Sequence, residues 1–344
     1  MWIVTGADGF FGNNLIRILV ERGERVRACI LGEERPPALP SGETAQIDVL
    51  DPETLDRAFA AEGTRYVVHA AGIVSINGRV TERVHRVNVE GTANVVEACR
   101  RQQVDRLAYI SSVHAIPEPT DGSTIVETEV FDPNLVHGEY ARTKAEATAL
   151  VMGATDLWRV VLHPSGMIGP NVYTDTHLTR LIRDAATGAL TAVVPGGYDF
   201  VDVRDAAQGA IAALERGESG RNYILSGHYA TVNDVVRQVA EQVHRRRSLQ
   251  LLPTWFAKAA APLAELYYRI RGTAPLYTSY SLHALGAPAN FSHRRATEEL
   301  GYQSRPLADT VADTVRWFQA QGQLRSPETQ PRSSRFRRKD RVWR

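Results

Sequence analysis

The stretch WIVTGADGFFG, residues 2–12, constrains the fold more than any other part of this chain. Four residues of strand character run into a turn with glycine at 6, 9 and 12, and from Phe10 the pattern becomes helical through Glu21. A glycine-rich turn between a strand and a helix lets backbone N–H groups and the helix N-terminus approach a pyrophosphate. Gly6 suits the tight turn, Gly9 the close approach and Gly12 the packing of helix on strand. Turns also collect glycine for steric reasons alone. The position of this turn at the first strand-to-helix junction makes it a candidate dinucleotide site.

Strand and helix patterns then alternate, as in a parallel sheet covered by helices on both faces. The expected strands are 2–5, 25–30, 44–47, 66–70, 106–111 and 157–163, separated by helices at 10–21, 52–61, 81–101 and 140–153. Beyond residue 165 the elements shorten, with helices expected at 204–216, 231–245, 253–270 and 306–320. This gives an α/β fold: a Rossmann-type doubly wound parallel sheet with a smaller mixed C-terminal substrate-binding region. The expected division is a dinucleotide-binding domain over 1–165, its sheet completed by parts of 190–230, then a substrate-binding region over 166–322 and a tail over 323–344.

Composition excludes several classes. With 344 residues, 43% of them apolar and 23% charged, the chain can bury a substantial core. Its longest apolar-rich stretch, LLPTWFAKAAAPLAELYYRI, is broken by Pro253, Lys258, Pro262, Glu265 and Arg269, so no membrane span is expected. No signal-peptide pattern precedes WIVTG, and a cytoplasmic location is the expectation. Cys29 and Cys99 are too few for a disulfide framework or metal cluster and read as buried structural thiols; no metal is expected. The net charge of +1 conceals an asymmetry, because from Arg325 onward eight Lys/Arg face two acids, about +6, leaving about −5 on the body. That basic tail reads as solvated disorder, with no nucleic-acid partner expected.

The glycine spacing is GxxGxxG, and six further motifs follow it in order: DVLD (48–51), HAAG (69–72), NVEGT (88–92), YISS (109–112), YARTK (140–144) and HPSGMIGP (163–170). In these the chain resembles the extended short-chain dehydrogenase/reductase superfamily, the NAD(P)-dependent reductases, epimerases and dehydratases, over roughly residues 1–320. The resemblance implies that Gly6, Gly9, Phe10, Phe11 and Gly12 cradle the dinucleotide. Asp48, with Val49 beside it, would bind the adenine amine, although Asp48 could equally cap the helix that follows. Ala70, Ala71 and Gly72 would let the cofactor lie against the backbone. Asn88, a poor helix former inside a helix, is either solvent-facing or part of a polar network behind the site. Ser111, Pro164 and Ser165 complete the cofactor candidates, with Met167 and Ile168 lining the way in. His163 reads as a strand-end histidine satisfied by backbone, with a base role as the alternative. The cofactor is NAD or NADP: Glu33 or Glu34 would serve a ribose hydroxyl and Arg35 a 2'-phosphate, and the balance leans to NAD.

The expected catalytic residues are Ser112, Tyr140 and Lys144. Residues four apart share a helix face, so Lys144 can lie near the Tyr140 phenol and the cofactor ribose. A nearby cation lowers a phenol from its reference of about 10 toward the working pH. Ser112, at a strand end, would hold the substrate oxygen. Residues 73–80, 113–131, 171–178 and 195–205 would set substrate preference, with Tyr173, Tyr198 and Phe200 suggesting a partly apolar pocket. Asp202, Arg204 and Asp205 read as caps of the helix after them. Val113 and His114 stand where related dehydratases carry an Asp-Glu pair, and HAIP stands where sugar epimerases commonly carry VYG. The resemblance is therefore closest to the dihydroflavonol reductase-like and 3β-hydroxysteroid dehydrogenase-like branch. It implies an oxidoreductase interconverting a small-molecule carbonyl and alcohol, with a nucleotide-sugar epimerase and a non-catalytic dinucleotide sensor as alternatives; a homodimer is left open.

Overall fold

The computed structural model describes residues 1–32, 42–60, 63–74, 82–119, 121–174, 176–190, 192–244, 249–255, 282 and 285–324. Glu33, Glu34, Arg35, most of the 253–270 helix and the tail beyond Leu324 lie outside the described residues.

Seven parallel strands form the central sheet: β1 (Trp2–Thr5), β2 (Val26–Ile30), β3 (Glu43–Gln46), β4 (Tyr66–His69), β5 (Arg106–Ile110), β6 (Arg159–Pro164) and, later in the chain, β10 (Asn222–Leu225). Their order is β10-β6-β5-β4-β1-β2-β3, so the chain starts in the middle and winds outward in both directions. Such an order leaves a crevice at the C-terminal ends of β1 and β4, where the winding reverses. The strand alternation feeds two separate cores. Trp2 and Val4 point to one face, against Leu15 and Leu19 of α1 (Phe10–Glu21), whereas Ile3 points to the other, against Leu55, Val95 and Val151. Each fully buried leucine there contributes about 1.5–3 kcal/mol. Both cysteines are buried in the second core, and burial pushes the Cys29 thiol up to about 12, which leaves it protonated and inert.

Helix α2 (Pro52–Phe59) starts at Asp51, whose carboxylate accepts the Glu53 N–H, and not at Asp48 as one sequence reading allowed. Asp48 instead closes a two-residue turn by accepting the Leu50 N–H at 2.9 Å. The expected helix over 81–101 is interrupted: α3 (Glu82–His85) widens into a π-helical turn at Arg86–Glu90 before α4 (Gly91–Arg101). Such widened turns concentrate at functional sites, and Asn88 sits in the middle of this one.

After β6 the chain adds strands that the sequence pattern left unassigned, together with the helices expected near 204–216, 231–245 and 306–320. Strands β7 (Gly166–Ile168), β9 (Gly197–Asp202) and β11 (His228–Thr231) make a mixed sheet, and β8 (Ala192–Val193) pairs with β12 (Gln250–Leu251). Helices α6 (His177–Thr187), α7 (Val203–Arg216), α8 (Val232–Gln242), α9 (Arg294–Leu300) and α10 (Leu307–Ala320) pack around them. Asp202 caps α7 as expected, accepting the Arg204 N–H, whereas Asp205 lies inside the first turn of α7 and pairs with Arg305 at 2.6 Å. No helix among the described residues is long and apolar enough to cross a membrane.

Candidate active site

The glycine turn is closed by its own backbone. The Gly9 N–H donates to the Gly6 carbonyl at 3.0 Å, and Gly6 holds a left-handed φ of +65° that an L side chain rarely adopts. A Cβ at Gly12 would lie 2.2 Å from the Gly6 carbonyl oxygen, so only glycine lets α1 approach this closely. Phe10 and Phe11 bury their rings in the core and leave only backbone at the turn. The α1 N-terminus has no side-chain cap and no acidic residue in its first turn. Its first N–H groups and positive dipole end are therefore not offset by a side chain of the helix's own cap or first turn.

Beside this turn, Ala70, Ala71 and Gly72 leave the end of β4. The Ala71 N–H donates to the Thr5 hydroxyl at 3.2 Å, and the α-carbon of Gly72 opens toward the Asn88 amide and the Lys144 ammonium. Asn88 is buried in the network and does not face solvent. Its amide oxygen accepts the Ile73 N–H at 2.8 Å, and its NH₂ donates to the Ile73 carbonyl at 3.0 Å and the Thr143 hydroxyl at 3.2 Å. The widened turn thus holds the β4 exit against α5 (Glu139–Gly153). Asn88→Ala should cost about 2–4 kcal/mol by orphaning two backbone groups at once, measured by urea unfolding. A change below the error of that measurement would show the clamp to be unimportant.

Tyr140 and Lys144 are both buried on α5, one turn apart. The Lys144 ammonium donates to the Ile110 carbonyl at 2.9 Å and to the Tyr109 phenol at 3.2 Å, both at the end of β5. Burial lowers Lys144 to about 7, so its charge is finely balanced near neutrality rather than fixed, as the sequence reading assumed. The unfolded lysine, with an ordinary value of 10.5, keeps a proton that the folded chain releases between about 7 and 10.5. Stability should therefore rise with pH across that window in the wild type relative to Lys144→Met. Thermal melts of the two proteins from pH 6 to 10 would show parallel curves if this assignment were wrong.

Ser112 follows β5, and its hydroxyl oxygen accepts the His114 N–H at 3.2 Å, which leaves its own proton to point elsewhere. Ser111 is turned the other way, sharing a hydrogen bond with Thr148 at 2.6 Å. Behind Ser112, His163 is fully buried. Its Nδ1 lies 3.0 Å from the Ser112 carbonyl, its ring stacks on Phe131, and burial lowers it to about 4. The Ser112 carbonyl thus engages one ring nitrogen of His163, while its Nε2 is buried with no hydrogen-bond partner among the described residues.

Four expectations need correction or completion. Ile168 and Phe200 do not line an entrance: both are core residues, with Tyr198 packed edge-on against Phe200. Tyr173 instead lies over Arg17 and Trp317, next to Thr174, whose hydroxyl reaches the Asp8 carbonyl of the glycine turn. The Ser165 hydroxyl is committed to Asp199 at 2.5 Å, a buried carboxylate that also accepts the Gly227 N–H and is held above the usual range by desolvation. Pro164, the last residue of β6, and the backbone of Ser165 still reach the sheet edge. Val49 is buried, with its carbonyl fixed by Asn94 at 2.9 Å.

A pocket of about 330 Å³ opens beside the site, lined by His114, Ile116, Glu118, Asn134 and His137 among others. The His114 ring meets the Tyr140 ring edge-on at 6.4 Å, which joins this pocket to the tyrosine.

Residues 2–226, from β1 through the strand that completes the central sheet, match the NAD dependent epimerase/dehydratase family. The chain belongs to that family. Within it, the chain is similar to sterol demethylase protein B of Methylococcus capsulatus, with 29% identity over 94% of this chain and 99% of that one. It is likewise similar to a putative dihydroflavonol 4-reductase of Synechocystis, with 28% identity over 94% of this chain and 96% of that one. The crystal structure of gox2253 shares the fold at a TM-score of 0.80, with 31% identity over 94% of this chain and 99% of that chain. A human relative, 28% identical over 94% of this chain and 88% of that one, carries the name short-chain dehydrogenase/reductase family 42E member 1, consistent with an enzyme of the short-chain dehydrogenase/reductase group. The residues present fit NAD as cofactor, because the uncapped helix end, the Gly6–Gly12 contact and the small residues 70–72 leave bare backbone along the crevice.

The chain also hides a polar cluster that motif reading passed over: Thr5, His69, Thr92 and Tyr109, all buried between β1, β4, α4 and β5. One signal was available in the sequence. Of 40 Lys and Arg residues only three are lysine, Lys144, Lys258 and Lys339. A chain that uses arginine almost everywhere keeps at 144 a cation whose proton can be released.

Proposed function

We propose that this protein is an NAD-dependent oxidoreductase that interconverts a carbonyl and an alcohol, with Tyr140 as acid/base. The observation that carries this reading is the convergence of Tyr140, Lys144 and Ser112, all buried, on the end of β5 beside Gly72. Bound along the crevice, the nicotinamide supplies or accepts the hydride. Ser112, its oxygen already engaged by the His114 N–H, directs its proton to the substrate oxygen. Tyr140 gives a proton to that oxygen in reduction and removes it in oxidation. Lys144 lies one turn below and supplies positive charge when protonated, which favours the phenolate. His114 and the pocket beside it form the wall against which the rest of the substrate packs.

Residues 1–165 with the β10 strand serve the dinucleotide in this reading, and residues 166–322 serve the substrate. The names of two relatives support a reductase: the Synechocystis protein above, and a ketoreductase acting on a farnesylated dihydroquinoline oxide in Stigmatella aurantiaca, 28% identical over 94% of this chain. The test is a panel of ketones, aldehydes and alcohols with NAD(H) and NADP(H), run beside UDP-sugars. Net oxidation of NADH by a carbonyl is the expected result. Interconversion of sugar epimers with no net redox change would replace this reading with an epimerase.

A further inference from the structure

We infer that Tyr109 is a positioning residue for Lys144: its phenol oxygen accepts from the buried ammonium while its ring stacks on His69, a side chain fixed by hydrogen bonds to Thr92 and to Thr5, which in turn meets the Ala71 backbone at the dinucleotide crevice. The inference deepens the proposed reaction and rests on Lys144 belonging to that site.

The proton directions in the chain follow from what each group can give. The Thr92 hydroxyl donates to the Asn88 carbonyl at 2.6 Å, so toward its other neighbours it can only accept. Nε2 of His69, 3.0 Å from that hydroxyl, must therefore carry the ring proton. Nδ1 of His69 is then an acceptor, and the Thr5 hydroxyl donates to it at 2.8 Å. Thr5 in turn accepts the Ala71 N–H. Burial lowers His69 to about 3, which keeps the ring neutral and the tautomer unambiguous. The His69 ring stacks on the Tyr109 ring with 5.5 Å between centroids, and the Tyr109 oxygen offers a lone pair to the Lys144 ammonium at 3.2 Å, which also lies 4.8 Å from the centre of that ring.

Each proton from Ala71 through Thr5 and His69 to Thr92 has one acceptor, so the His69 ring is held in a single orientation against the Tyr109 ring. A phenylalanine at 109 would pack the same core and keep the ring face for the cation. It would remove only the oxygen. The titratable groups facing Lys144 are His69 on β4, Tyr109 on β5, His163 on β6 and Tyr140 on its own helix. Both histidines are held neutral by burial, which leaves the two phenols and the Ile110 carbonyl to stabilise the ammonium.

The three lysines allow a direct test. In full-length protein labelled with ¹³C at lysine Cε, the signal missing from Lys144→Met is that of Lys144, and its titration can be followed without substrate or cofactor. Losing a hydrogen bond to a charged group should lower the Lys144 midpoint by about one pH unit or more in Tyr109→Phe. A smaller shift of the same sign is expected in Thr92→Val, which removes the acceptor that orients the His69 ring on which Tyr109 stacks. An unchanged or raised midpoint in Tyr109→Phe overturns the inference, since a residue that only fills the core would leave the lysine where it was. Should Tyr109→Phe not fold, an unchanged midpoint in Thr92→Val overturns it instead. The outcome is independent of the carbonyl panel, so failure here leaves the oxidoreductase reading standing, and failure of that panel leaves the lysine titration interpretable.

Discussion

Tyr140→Phe is expected to lower turnover by about two to four orders of magnitude while leaving NAD affinity nearly unchanged. The phenol oxygen is the only atom removed, and the ring that packs at the head of α5 against His114 remains. A buried phenylalanine at this position keeps the helix, the Lys144 contacts to β5 and the Asn88 clamp, none of which uses the Tyr140 hydroxyl. The loss should therefore appear in kcat with little change in the melting temperature. Calorimetric NAD binding alongside steady-state kinetics with the best carbonyl substrate separates the two quantities. Turnover within a few-fold of wild type would remove Tyr140 from the reaction and with it the proposed mechanism.

Gly12→Ala is expected to be the most damaging single-methyl change in the dinucleotide crevice. Alanine is the better helix former by up to about 1 kcal/mol, so helix propensity alone predicts a gain. The added Cβ, however, would fall 2.2 Å from the Gly6 carbonyl oxygen and 2.9 Å from the Ala7 α-carbon, both backbone atoms that cannot rotate away. Relief requires α1 to move off β1 or the turn to open. Overpacking of this kind costs about 1–3 kcal/mol, and the same movement separates the α1 N-terminus from the 70–72 backbone across the crevice. The expected result is a lower melting temperature and at least about a tenfold loss of NAD affinity, equivalent to about 1.4 kcal/mol. A variant that binds NAD as the wild type does would show that the crevice is not where the dinucleotide lies.

The parts of this protein that could be read before folding are those in which neighbours in sequence do the work. The β1 strand, its glycine turn and α1 lie within residues 2–21, and the expected helix bounds there agree with the structure to the residue. Tyr140 and Lys144 are four apart on one helix, so their shared face follows from helical geometry alone. Where the reading went astray, a nearby residue offered the same chemistry: Asp51 caps α2 and Asp48 does not, because the cap must stand next to the first helical turn and Pro52 marks where that turn begins. The aromatic residues 198 and 200 sit on successive same-side positions of β9, and whether that side faced a pocket or the core depended on β9 pairing with β7 and β11.

By itself the sequence determined the class of the fold, the order of its first six strands and the three side chains expected to meet at the end of β5, since each is set by local periodicity or a short motif. Tertiary structure decided the rest: that β10, far along the chain, completes the central sheet; that Asn88 clamps the β4 exit; that Asp199 takes the Ser165 hydroxyl; and that Lys144 reaches Tyr109 across the end of β5. These contacts join residues 15 to 61 positions apart. Isolated polar residues such as Thr5, His69 and Thr92 carry no pattern of their own, and only the closure of the sheet, which strips them of water, obliges them to find one another.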